Sequence, residues 1–97
     1  MPAYKAPVRD IRFLMNEVFD YPAHYQTLST GENADADTIN MIIDGAADFC
    51  ENVLSPLNQS GDEEGCHFKD GEVTTPKVFT EAYDQFVQGG WQGLSYP

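Results

Sequence analysis

Basic side chains are scarce. Five Lys and Arg stand against sixteen Asp and Glu, a formal charge of −11. Holding a phosphate backbone requires clustered cations, so no nucleic-acid partner is expected. Two cysteines, Cys50 and Cys66, are too few for a disulfide framework. No run approaches the ~18 apolar residues that a membrane-spanning helix needs, so no membrane span is expected. The first twelve residues carry Lys5, Arg9 and Arg12 but no apolar stretch after them, so no secretory signal is expected either. These scarcities together predict a reducing, cytoplasmic setting. At 97 residues the chain has room for one small domain with a thin core.

The remaining composition points to folding. Hydrophobic residues make up 41% and twelve side chains are aromatic, too many for a disordered acidic tail. The charge is uneven: three of the five cations lie in the first twelve residues beside a single acid, Asp10. Such a basic arm on an acidic body reads as a solvated helical face, or as a means of docking on an acidic surface.

Periodicity predicts three amphipathic helices. Val8, Ile11, Leu14, Met15, Val18 and Phe19 recur at helical spacing behind Pro7, which suits a first turn. Asp20-Tyr21-Pro22 should stop or kink this helix, because the residue before proline avoids the α region. Ala23-His24-Tyr25 allows one further turn. Leu28 to Asp37 reads as loop, with Asp35 or Asp37 as N-cap of the second helix. Ile39, Ile42, Ile43, Ala46, Phe49, Cys50, Val53 and Leu54 form that helix's apolar face, and Ser55-Pro56 should end or kink it. Asn58 to Gly65 reads as polar loop. Residues 67–73 read as a small hairpin turning at Asp70-Gly71. Thr75 as N-cap and Pro76 at the first position should open the third helix, with Phe79, Ala82, Tyr83, Phe86 and Val87 inward. Gly89-Gly90 should close it. The expected fold is therefore all-α: three amphipathic helices with a short hairpin-like loop between the second and third. The second and third helices should pack together, and the first should cross them through Phe13, Leu14 and Val18. Trp91, Leu94, Tyr96 and Pro97 make an apolar tail, which suggests a fragment whose tail packs on something else or pairs with a second copy.

Chemical motifs are sparse. Asn33, Asp35 and Asp37 alternate like the first ligands of a calcium loop, but the sixth position is Thr38 instead of Gly and the twelfth is Asp44, inside a helix. Capping of the following helix explains these acids better. Cys50, Cys66, His24 and His67 lack the paired spacing that seeds a zinc site. Cys66 and His67, as neighbours on an extended segment, point to opposite faces and do not form a nucleophile–base pair. Asp62-Glu63-Glu64 reads as a solvated acidic run. Gly89-Gly90-Trp91-Gln92-Gly93 follows a helix, the wrong polarity for a phosphate cradle. No catalytic, cofactor-binding or metal-ligating residue is expected in this chain.

The order of three stretches nonetheless resembles a family. Tyr4-Lys5-Ala6-Pro7-Val8-Arg9-Asp10, continuing to Glu17, resembles the N-terminal extension of a bacterial subgroup of acyl-CoA dehydrogenases. Ala46-Ala47-Asp48-Phe49-Cys50-Glu51-Asn52-Val53-Leu54-Ser55-Pro56 is similar to their first core helix and the proline turn after it. Phe79-Thr80-Glu81-Ala82-Tyr83, then Gly89-Gly90-Trp91-Gln92-Gly93-Leu94, resembles their second core helix and its exit. The resemblance implies residues 1–34 as an extension with the first helix, and 35–97 as the first, incomplete part of the helical domain. It implies a parent flavoprotein that oxidises an acyl-CoA thioester to a 2-enoyl-CoA. There a glutamate base removes the α-proton and FAD takes the β-hydride. The flavin contacts and the base are implied to lie beyond this chain, whose partner would be the remainder of the dehydrogenase. The alternative is a stand-alone small acidic helical module that offers its apolar faces to another protein.

Overall fold

The computed structural model describes residues 3–94, so Tyr96 and Pro97 of the apolar tail lie outside the described residues. The described residues divide into two compact units, Tyr4–Cys50 and residues 51–94 together with Ala3. Both are predominantly helical.

In the first unit, α1 (Val8–Arg12) opens behind Pro7 and widens into a π-helical stretch, Phe13–Val18. Asp20 breaks the helix in a left-handed conformation, φ 48° and ψ 55°, and its carboxylate accepts the N–H of Ala23 at 3.4 Å. That cap starts α2 (Tyr21–Gln26), with Pro22 in the first turn where its missing N–H costs nothing. The expected stop at Asp20-Tyr21-Pro22 is thus present, and the further turn is a helix of its own. Phe19, Tyr21 and Tyr25 follow one another with ring centroids 5.7 and 5.9 Å apart. After the loop, α3 (Ala36–Phe49) begins at Asp35, whose carboxylate accepts the Thr38 N–H at 2.8 Å.

The three side chains expected to carry the first helix across its neighbours do not bury themselves, and a polar link joins α1 to α3. Phe13, Leu14 and Val18 are all exposed. Arg12 makes the reach instead: its Nη2 donates to the Asn40 carbonyl at 3.2 Å and to Asp44 Oδ1 at 2.5 Å. Arg12 precedes the π-helical widening, which adds a residue per turn and shifts the apolar side chains beyond it out of simple helical phase. Of the apolar face expected on α3, Ile39 is buried at 8% exposure, while Phe49 is only half-buried.

Helical hydrogen bonding persists past Phe49 through a π-helical turn, Cys50–Leu54. In the second unit α4 (Ser55–Glu64) follows, where Ser55-Pro56 was expected to end or kink the helix and Asn58 to Gly65 to be loop. Pro56 falls in the first turn of α4, directly after the π-helical turn, where the helical hydrogen-bond register changes. The polar side chains that suggested a loop bond along the helix: Gln59 Nε2 to Glu63 Oε1 at 3.0 Å, and Ser60 Oγ to the Leu57 carbonyl at 3.2 Å. Gly65, at φ 67°, ends it.

A two-stranded antiparallel hairpin comes next, β1 (His67–Lys69) and β2 (Glu72–Thr74), so the fold is mainly helical without being purely all-α. Asp70 and Gly71, at φ 53° and 78°, form the left-handed turn that the Asp-Gly pair predicts. Helix α5 (Lys77–Gln88) packs on α4 and buries Ala82 at 5% exposure. Its N-cap is Pro76, one residue after the expected Thr75, and no side chain of its own caps it. Pro76 has an extended ψ of 139°, so it precedes the helix. Gly89 and left-handed Gly90 close α5 as expected, and a 3-10 turn, Trp91–Gly93, follows.

Candidate functional site

Two surface features of the second unit have the form of a site. The first is a groove of about 240 Å³ between α4 and α5. Val53, Pro56 and Leu57 form one wall; Val78 and Ala82 form the other, and Glu81 stands among them. The helical spacing of 53, 56 and 57, and of 78 and 82, puts each set on one face. Glu81 is the groove's one ionisable side chain. A lone carboxylate there has no histidine, thiol or second acid beside it to make an acid–base or nucleophilic pair. The groove can hold an apolar side chain; it has no evident means of transforming one.

The second feature is the polar side of the hairpin. His67 pairs with Thr74 and Lys69 with Glu72, and the four share one face by strand alternation. Together with Asp70 they line an open recess of about 340 Å³. Glu64 anchors the hairpin's start. Its Oε2 accepts the backbone N–H of Lys77 at 3.2 Å and lies 3.4 Å from His67 Nε2. This carboxylate thus supplies the cap that α5 lacks from its own side chains and ties the first strand to the same corner. Sequence reading placed Glu64 in a solvated run, and spacing offers little to distinguish it, since its partner amide is thirteen residues away.

Several of the side chains weighed for chemistry have structural occupations. Asp35 is an N-cap, and the Thr38 backbone N–H and hydroxyl hold its carboxyl below the ordinary value of 3.8. Asp44 pairs with Arg12, and Asp37 lies in the first turn of α3. His24 rests against Tyr25 with ring centroids 6.0 Å apart. Cys50, half-buried, and Cys66, exposed, are both free thiols. Among the described residues no three His, Cys, Asp or Glu gather as a metal-binding group. Nor do Gly89 and Gly90 fit a dinucleotide. They end α5, so the groups at that helix terminus are carbonyls, which repel phosphate.

No helix among the described residues is long and apolar enough to cross a membrane. No family model matches the chain. It is 37% identical over 94 residues to a 3-methylmercaptopropionyl-CoA dehydrogenase of Ruegeria pomeroyi. The match covers 97% of this chain and 16% of the relative. Identity at this level over nearly the whole chain shows that it resembles a segment of an acyl-CoA dehydrogenase.

Proposed function

We propose that the chain is the N-terminal helical part of a flavin-dependent acyl-CoA dehydrogenase, and that its own role is structural. The observation that carries this reading is a 37% match spanning nearly the whole chain but only 16% of the relative. On this view residues 1–34 are an extension and 35–97 begin the helical domain. The catalytic base and the FAD contacts belong to the rest of a cytoplasmic polypeptide, where an acyl-CoA is oxidised to a 2-enoyl-CoA. The relative's name makes a thioether acyl-CoA the first substrate to try. Support also comes from the surface. Phe13, Phe19, Met41, Phe68, Val73 and Tyr83 are all more than half exposed, which suits a wall that other elements cover.

The test is the intact mass and spectrum of the native gene product. A polypeptide several times 10.8 kDa, with flavin absorbance and acyl-CoA oxidation, is expected, and neither property in the 97-residue protein. A native product of 10.8 kDa would overturn the proposal, as would flavin and dehydrogenase activity in the 97-residue protein.

A further inference from the structure

The hairpin's two faces differ. Its polar face carries His67, Lys69, Glu72 and Thr74. The opposite face carries the directly paired Phe68 and Val73, with 75% and 66% of their surfaces in water. Strand alternation normally turns such an apolar pair toward a core, because one face of a sheet must be covered for its register to be fixed. A two-stranded hairpin is marginal by itself in water. Every one of its six strand residues is exposed, and the side-chain link recorded at its base is His67 with Glu64, on the other face. The Phe68–Val73 pair is therefore the part of the hairpin that a cover would stabilise.

We infer that the Phe68–Val73 face docks into an apolar pocket on the remainder of the dehydrogenase polypeptide, outside the 97 residues described by this sequence. The inference rests on the proposed function and adds to it the surface and the chemistry of the contact. The length relationship selects the occupant: the matched relative carries this segment as 16% of a much longer chain. Charge selects the surroundings. From Glu51 onward there are two lysines against eight acids, so a pocket rimmed by Lys and Arg complements this unit, and an acidic rim would repel it. A second copy of this unit carries the same negative charge and is the poorer partner.

Photocrosslinking in the native-length product tests the inference. Phe68→p-benzoylphenylalanine should crosslink, within one polypeptide, to a peptide beyond residue 97. His67→p-benzoylphenylalanine, on the opposite face, should not. Hydrogen exchange gives an independent reading: amides 67–74 should be protected in the native-length product, and Phe68→Asp should remove that protection. Crosslinks from position 68 that stay within residues 1–97, that join two copies, or that do not form would each overturn the inference. So would unprotected amides in the unsubstituted long protein. All these results leave the dehydrogenase reading standing, whereas a native product of 10.8 kDa removes both.

Discussion

The ring of Phe79 on α5 lies over the backbone of Gly61 on α4, so closely that a Cβ at Gly61 would stand 2.6 Å from Phe79 Cε1. Gly61 is buried beneath it, and this is how a helix with glycine in its interior comes to pack on α5. In an open helix Gly→Ala gains about 1 kcal/mol. Here Gly61→Ala should instead destabilise, by about 1–3 kcal/mol, because the ring must leave its seat. In a Phe79→Ala background the same substitution should become neutral or stabilising. Urea melts of the four proteins give the double-mutant cycle, and equal effects of Gly61→Ala in both backgrounds would refute the contact.

Asp35 makes α3 sensitive to acid. Its carboxyl is held below 3.8 in the folded state by Thr38. A lowered folded value means that its contribution is complete at neutral pH, declines as pH falls through 3.8, and is gone below the folded value. Asp35→Asn keeps a capping oxygen without a titrating group. Circular dichroism from pH 6 to 2 should show less acid loss of helicity in Asp35→Asn than in the parent, with Asp35→Ala less helical throughout. Identical acid profiles for the parent and Asp35→Asn would contradict this assignment.

Arg12 and Asp44 should not be equivalent. The Asp44 side chain is 66% exposed, so the ion pair is screened, and Asp44→Ala should cost under about 0.5 kcal/mol. Arg12 also donates to the Asn40 carbonyl, and Arg12→Ala should cost about 1 kcal/mol. In 1 M salt the Asp44→Ala effect should vanish while most of the Arg12→Ala effect stays. If salt abolishes both, the carbonyl bond contributes nothing.

Gly71 turns the hairpin at φ 78° with open space around its missing Cβ. Strain is therefore the sole objection to a side chain there, and Gly71→Ala should weaken the hairpin by about 1 kcal/mol. Asp70→Asn should be tolerated at φ 53°. Amide exchange at Lys69 and Glu72, the pair that flanks the turn, in the native-length product reports both, and indifference to Gly71→Ala would argue against the left-handed turn.

Much of the local structure was legible in the residues. Asp20-Tyr21-Pro22 announced a break, Asp35 or Asp37 a cap (it is Asp35), Asp70-Gly71 a turn and Gly89-Gly90 a helix end, because each acts through its own backbone conformation or the nearest amides. Helix α4 was not legible. Ser55-Pro56 and the polar run after it have the composition of a loop, and nothing local shows that a π-helical turn precedes the proline or that Phe79, eighteen residues away, covers Gly61. The same holds for Glu64, whose role depends on an amide that the hairpin returns to it. As for a site, the sequence contains no spaced set of ligands or nucleophile–base pair; of its acids, Asp20, Asp35 and Glu64 accept from helix-start amides and Asp44 pairs with Arg12.

Composition, periodicity and three family-like stretches by themselves determined that this is an acidic, mainly helical chain related to acyl-CoA dehydrogenases. Those properties reside in residue types and short spacings. Only the tertiary structure decided that Arg12 bonds to α3 while Phe13 stays exposed, that α4 is the helix packed on α5, and that Phe68 and Val73 face water. Each depends on the phase of a helix or the face of a strand, which a π-helical turn or a distant ring can alter without changing the local sequence.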